Sequence, residues 1–390
     1  MLRSIGRHLV AAGHSVSVYS TQPSYRPGAF EPKQAKSEKL DGISVRRISL
    51  LNERRKDLLF RGFNAFLYSV RLFLHILFGR RYDLVVVSTF PPILVAFLAC
   101  LACKIRRCRF VYHCQDIHPE VSMAIRGKSS GAWLSLLQRI DEWTCGHAST
   151  IVVLSEDMRG TLLERSPTAH LNIRIINNFE LPQFDSATQV NEIVDFPDAE
   201  VGGQIASNAF RVVFAGNFGR FQSLDTVVRA AALLKDMGEI RIVLIGDGVM
   251  QAELKELCEG LSCDNVDFMP FQTPTVAKRL ISQADFGLVT LRQGMYRVAY
   301  PSKTMTYLSA GRPLIVMVEQ ASELAKSVAA ERLGLVVPDG TPEALAGTIR
   351  EGYQNRQDWE GERSRLKEYA AERSSEKAVL GKWGQLIDSV

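Results

Sequence analysis

Apolar residues recur along this chain in short β-branched runs separated by stretches with three-to-four spacing. The first run, residues 15–20, follows an amphipathic helix that begins at Met1 and ends at Gly13. Further runs stand at 83–88, 109–114, 150–154 and 173–176, with helical patterns between them. That alternation belongs to β-α-β units in a parallel sheet. Residues 178–208 break it with Pro182, Pro197, Gly202, Gly203 and several carboxylates, and read as a linker. A second series runs through 210–215, 240–245, 265–269, 286–291, 314–318 and 335–337, and amphipathic helices over 342–353 and 367–387 close the chain. The pattern predicts an α/β protein with two parallel-sheet domains: residues 1–180, a linker over 181–208, residues 209–366, and a last helix in 367–390 that returns through Trp383 to brace the first domain.

Composition sharpens this picture in three ways. A length of 390 residues exceeds one ordinary core, and 46% hydrophobic with 23% charged residues suggests neither a disordered chain nor a polytopic membrane protein. The seven cysteines are an odd number scattered among apolar neighbours, which fits reduced cytosolic thiols. Cys100 and Cys103 have metal or redox spacing but lie in an apolar helical run without a second ligand pair, and read as core thiols. The net charge of +5 hides an asymmetry: residues 1–110 hold 19 Lys/Arg against 6 Asp/Glu, the remainder 28 against 36. The basic third carries no nucleic-acid-binding motif, so nucleic acid is not the expected partner, whereas an anionic membrane surface fits.

Within that third, Phe60, Phe63, Phe66, Leu67, Val70, Phe73, Leu74 and Leu77 recur at helical spacing, with Arg61, Arg71, Arg80 and Arg81 among or after them. The run is short of the ~20 residues a bilayer span needs and contains Arg71 and His75. Two readings stand. The helix lies in a membrane interface with Arg61, Phe63, Phe66, Arg71 and Phe73 facing lipid, or it packs on the core with a solvated basic edge. No signal peptide precedes it, because the charged start lacks a long apolar core and a cleavage site.

Candidate chemistry gathers at strand ends, where ligands of open α/β sheets bind. In the second domain, Gly216-Asn217-Phe218-Gly219-Arg220-Phe221-Gln222 and Gly246-Asp247-Gly248 follow two strands, and Tyr300-Pro301-Ser302-Lys303 opens a helix that Gly311 ends. Pro301 suits a first turn, and Ser302 and Lys303 add a hydroxyl and a cation where a helix start favours an anion. Together the three segments predict a diphosphate-bearing nucleotide site; the competing reading is a surface helix start with a solvated lysine. Neither a Walker A loop nor a Gly-x-Gly-x-x-Gly motif occurs. In the first domain His113, Asp116, His118 and Glu120 cluster at a strand end, suited to acid–base work or substrate positioning. Against that, Asp116 caps the next segment and the histidines are core or loop residues. Asp141, Glu142 and His147 read as a surface helix with no role. With no Asp-x-Asp pair and no Cys/His ligand set, no metal and no other cofactor is expected.

The order Gly-His-x-Val-x-Val, Asp-Ile-His-Pro-Glu, Gly-Asn-Phe-Gly-Arg-x-Gln, Ile-Gly-Asp-Gly, Ala-Asp-x-Gly-Leu-Val and Tyr-Pro-Ser-Lys-Thr-Met-x-Tyr-Leu-x-Ala-Gly-Arg-Pro resembles glycosyltransferase family 4 over nearly the whole chain. It is similar to the bacterial L-fucosamine transferase-like branch of O-antigen and capsule synthesis. The resemblance implies the GT-B fold, two Rossmann-like domains with a cleft between them, a nucleotide-sugar bound by the second domain, and metal-free transfer with retention of anomeric configuration. It also implies donor-binding roles for Gly216, Asn217, Arg220, Gln222, Gly246, Asp247, Ser302, Lys303 and Thr306, and acceptor-side catalytic roles for Asp116, His113 and His118. Val298 and Thr306 stand where many members carry two glutamates, and Asn217 and Gln222 where an arginine and a lysine are usual. Members also begin with a strand and a glycine-rich loop ahead of the helix that here starts at Met1. Either the start is internal or an edge of the site is lost.

The expected activity is transfer from a UDP-sugar to a lipid-diphosphate-linked saccharide by a cytoplasmic protein, peripheral on the inner face of the cell membrane. Open alternatives are a non-catalytic nucleotide-sugar-binding component of a polysaccharide assembly complex and a UDP-sugar 2-epimerase-like enzyme.

Overall fold

The computed structural model describes residues 1–22, 34–50, 58–126, 131–179, 196, 200–201, 204–205 and 209–390. The basic run Asn52–Lys56 and most of the expected linker lie outside these residues. The chain divides into two compact units, Met1–Asn177 with Val379–Val390, and Asn178–Ala378.

The first unit contains α1 (Leu2–Ala11), β1 (Ser17–Thr21), β2 (Ser37–Leu40), β3 (Ile43–Ile48), α2 (Leu58–Phe78), β4 (Leu84–Ser88), α3 (Leu94–Arg106), β5 (Arg109–His113), α4 (Glu120–Arg126), α5 (Ala132–His147), β6 (Thr150–Val153), α6 (Glu156–Arg165) and β7 (Ile173–Ile175). Strands β4 to β7 form one parallel sheet in sequence order. Their β-branched runs suit strands covered on both faces, and every residue of β6 is buried. β1 joins a separate sheet, parallel to β3, which pairs antiparallel with β2 through the two-residue turn Asp41-Gly42. Both turn residues have positive φ, +51° and +80°. This is the Asp-Gly hairpin turn, and Arg3 Nε holds the Asp41 carboxylate at 2.8 Å.

The second unit begins with the small antiparallel pair β8 (Glu200–Val201) and β9 (Gln204–Ile205). It continues with β10 (Phe210–Asn217), α7 (Leu224–Ala232), β11 (Ile240–Asp247), α8 (Gln251–Gly260), β12 (Val266–Met269), α9 (Pro274–Gln283), β13 (Phe286–Thr290), α10 (Lys303–Ser309), β14 (Leu314–Met317), α11 (Glu323–Ala330), β15 (Gly334–Val336), α12 (Pro342–Gln354), α13 (Arg356–Gly361) and α14 (Arg363–Ser374). The six strands from β10 onward form a parallel sheet in the order β12-β11-β10-β13-β14-β15, so strand order reverses between β10 and β13. Phe210, Val212 and Phe214 alternate into a core shared with Val227, Leu244, Leu288 and Ile349, all of them buried. Side-chain caps start α9, α11 and α12: Ser322 and Thr341 accept from the third amide beyond them, and Thr273 does so ahead of Pro274.

The chain ends in α15 (Glu376–Ser389). The single helix expected over 367–387 is therefore two. Ser375 leaves the helical region at φ −64° and ψ 150°, and its hydroxyl accepts from Ala378 N at 3.3 Å, starting α15 afresh.

Candidate functional site

The site of the second unit forms where β10 and β11 run out side by side. Gly216 lies opposite Gly246, and Asn217 opposite Asp247. Gly216 and Gly246 have φ of +156° and +148°, and a β-carbon on Gly246 would sit 1.9 Å from the Gly216 carbonyl oxygen. Only glycine permits that approach. The two following loops then interlock, Phe218 N donating to Asp247 O at 2.9 Å and Met250 N to Phe218 O at 3.1 Å.

Lys303 reaches this strand end from α10. Its Nζ donates to Gln222 Oε1 at 2.7 Å and stands 3.5 Å from the centre of the Phe214 ring, against Gly216. Gln222 is itself buried, and its carbonyl accepts from the Thr290 hydroxyl at the end of β13. The lysine thus stands where the strand order reverses, the place at which open α/β sheets bind ligands. Tyr307, four residues on and hence on the same helical face, sets the position of α10. Its ring packs onto Gly287 of β13, and its hydroxyl accepts from Ala215 N of β10 at 2.8 Å. Burial pushes the Lys303 amine well below the ordinary lysine value. Both contacts of its ammonium, an amide oxygen and an aromatic face, are uncharged, so an entering anion would supply the missing countercharge. The reading of Lys303 as a solvated surface cation does not hold.

The other donor candidates are placed less centrally. Arg220 is more than half exposed and reaches Glu253 Oε1 of α8 at 3.5 Å, not the Lys303 cluster. The resemblance implies a donor-binding role for it. Asn217 is exposed between Gly219 and Gly248, Ser302 is exposed at the start of α10, and Thr306 is partly buried one turn on. α10 is only two turns long, so Lys303 rather than the helix dipole provides most of the positive potential. Phe214, Gly287 and Tyr307 belong to this site too; the four-residue spacing of Lys303 and Tyr307 was the signal for the last.

In the first unit the polar cluster after β5 is divided by burial. His113 is 1% exposed, packs edge-on against Trp383 at 5.0 Å, and has no partner for Nδ1 among the described residues. Burial pushes its imidazole down to about 4. It is a neutral core histidine, closed off from proton exchange with a ligand at the surface, which corrects the acid–base role expected of it. Asp116 and His118 are partly buried. Loss of solvation pushes the Asp116 carboxyl up and the His118 imidazole down, the latter opposed by Glu120.

This segment is held from beneath by a buried ion cluster. Arg165 donates to Asp141 Oδ2 at 2.6 Å, to Glu120 Oε1 at 3.2 Å and to the His118 carbonyl at 3.4 Å, while the Tyr112 hydroxyl donates to Asp141 Oδ1 at 3.0 Å. Asp141 is 1% exposed, not the surface residue its spacing predicted. Its partners outside α5 come from α6 and β5, so their approach is not readable from α5 alone.

α2 sends Leu72 and Ile76 into the core and leaves Phe60, Phe63, Phe66, Leu74 and Phe78 exposed with Arg61 and Arg71. Phe73 sits on the flank and is partly buried, so it leaves the expected lipid-facing set. Among the described residues no helix is long and apolar enough to cross a membrane.

Comparison with known proteins first defines a class. The sucrose-phosphate synthase of Thermosynechococcus elongatus superposes with a TM-score of 0.71 at 17% identity, over 100% of this chain and 92% of that one. HepE of Anabaena, solved with UDP-glucose, gives 0.67 at 14% over 97% and 100%. WaaG, a glycosyltransferase involved in lipopolysaccharide biosynthesis, gives 0.65 at 14% over 98% and 94%. The fold is that of the GT-B glycosyltransferases.

Residues 1–178 match the family model described as Glycosyl transferase 4-like domain, and residues 209–355 that described as Glycosyl transferases group 1. WbjE of Pseudomonas aeruginosa, which bears the name of a glycosyltransferase, is 27% identical over 76% of this chain and 73% of its own. WcaI of Escherichia coli strain K12, named as a glycosyl transferase of colanic acid biosynthesis, is 23% identical over 88% and 85%. The chain belongs to glycosyltransferase family 4 and is a transferase enzyme.

Proposed function

We propose that this enzyme moves a sugar from a UDP-sugar to a lipid-linked saccharide at the inner face of the cell membrane, without a metal and with retention of configuration, in the synthesis of a bacterial surface polysaccharide. The observation that carries the donor half is Lys303, an ammonium whose partners among the described residues, at the ends of β10 and β13, are uncharged. A diphosphate against Gly216 supplies the countercharge. As the sugar–phosphate bond breaks, negative charge grows on the departing diphosphate, and Lys303 stabilises that charge more than the ground state. The UDP complexes of HepE favour a uridine nucleotide, and the names of WcaI and WaaG favour surface polysaccharide. The acceptor is assigned to the first unit, where Asp116 and His118 are candidates for its positioning. The exposed aromatic and arginine face of α2 gives a lipid-linked acceptor a surface to approach on.

The test is a donor screen with a polyprenyl-diphosphate saccharide acceptor, in EDTA and in magnesium. Transfer from a UDP-sugar that EDTA leaves unchanged is the expected result. UDP-sugar binding without transfer would make the protein a non-catalytic component, and conversion of the UDP-sugar with no acceptor present would make it an epimerase. Abolition by EDTA would refute the metal-free part.

A further inference from the structure

The proposed transfer makes no use of the thiols at the junction of α3 and β5. α3 ends in a Schellman turn. Arg107 adopts the left-handed conformation at φ +55°, its amide donates to Lys104 O at 3.3 Å, and Cys108 N donates to Cys103 O at 3.0 Å. That turn lays the side chain at C″ against the side chain at C3, here Cys108 against Cys103. In most helices the contact is between two apolar groups; in this chain it is between two thiols, and all seven cysteines are free. Cys103 is 1% exposed, whereas Cys108 is partly open to solvent.

We propose that Cys103 and Cys108 form a redox-modification site, a dithiol that a peroxide converts reversibly to a disulfide. A hydrogen bond from the Cys103 thiol, with Arg106 nearby, holds Cys108 below the ordinary thiol value against the opposing effects of burial and Asp83. The same bond and burial hold Cys103 up as the protonated partner. Cys108 is therefore the attacking sulfur. Its thiolate takes the distal oxygen of the peroxide, the O–O bond breaks, and the departing hydroxide takes a proton from solvent, leaving a sulfenic acid on Cys108. The Cys103 sulfur then attacks the Cys108 sulfur and the S–O bond breaks. The Cys103 proton leaves with the hydroxide as water. Two thiols are oxidised, one peroxide is reduced, and two waters form. A thiol reductant reverses the step by exchange. Cys100 lies on the same helix but is buried, and burial pushes its thiol up to about 11, so it is not the attacking group.

The experiment treats the full chain with hydrogen peroxide, blocks the remaining thiols with N-ethylmaleimide in denaturant, and digests with trypsin. Lys104, Arg106 and Arg107 separate the two sulfurs, so only a disulfide joins their peptides. The expected product is a joined Cys103–Cys108 pair that dithiothreitol releases, that survives Cys100→Ser, and that is lost in Cys108→Ser. Cys103→Ser should instead accumulate a sulfenic acid at Cys108 that dimedone captures. In the untreated protein at pH 7, iodoacetamide should label Cys108 about ten-fold faster than Cys263, which is also partly buried and whose thiol burial pushes up. Joining of Cys108 to Cys100, a Cys108 that stays reduced while other thiols oxidise, or equal labelling of Cys108 and Cys263 would each overturn the proposal.

Discussion

Replacing Lys303 with methionine removes the ammonium and leaves a flexible chain of similar length over the Phe214 ring. Two effects of opposite sign follow. A hydrogen bond to a charged group is worth about 1.5–3 kcal/mol, and a donor aimed at charge that grows in the transition state about 2.7–4 kcal/mol. Turnover with a UDP-sugar should therefore fall about 10²–10³-fold and UDP affinity about ten-fold or more. Stability should move the other way. Burial lowers the folded-state pKa of Lys303 below its unfolded value, so between those two values the unfolded chain binds the extra proton and stability rises with pH. At neutral pH the native lysine thus lowers stability, and Lys303→Met should melt at or above the native temperature with a flatter dependence on pH. Turnover comes from a coupled assay of released UDP, and stability from thermal melts between pH 6 and 9. Native-like turnover would refute the role, and so would a loss of turnover accompanied by a lower melting temperature, which would make Lys303 a packing residue.

Gly246→Ala puts a β-carbon 1.9 Å from the Gly216 carbonyl oxygen at a φ of +148°, and should cost at least about 2 kcal/mol, or ~4–8 °C in melting of a unit this size; a melt within a degree of native would contradict the geometry. His113, pushed down to about 4, binds its proton in the unfolded chain before the folded one, so stability rises with pH between about 4 and 6.5. The full shift is worth about 3 kcal/mol, and His113→Leu should melt with less acid sensitivity over that window, as followed by circular dichroism. Phe63 and Phe66 are 52% and 54% exposed. The double change Phe63→Ser, Phe66→Ser should leave the melting temperature unchanged yet weaken co-sedimentation with anionic vesicles about thirty-fold, from ~2 kcal/mol of lost apolar burial; equal sedimentation would remove α2 from any membrane contact.

The strands were the most legible part of the chain, because a β-branched run between helical patterns has few other ways to fold. The Asp41-Gly42 hairpin could have been read and was not, since its flanking strands are short and polar at Ser37 and Glu38. Within the donor site the glycines, Gln222 and Lys303 were visible as a motif. That Lys303 turns inward onto Phe214 while Arg220 turns outward to Glu253 was not visible, because both are basic residues beside glycine-bearing strand ends and only packing distinguishes them.

The order of residues alone determined two α/β units, the strands of their two larger sheets, and the segments that carry the donor chemistry, since periodicity and glycine placement act within a few residues of each other. Tertiary structure decided what each candidate side chain is able to do. It buried His113 against a tryptophan from the far end of the chain, joined Asp141 to Arg165 across 24 positions, and closed Lys303 against uncharged partners from β10 and the loop that follows it. Solvation sets the charge and reach of an ionisable group, and solvation depends on neighbours that arrive from elsewhere in the sequence.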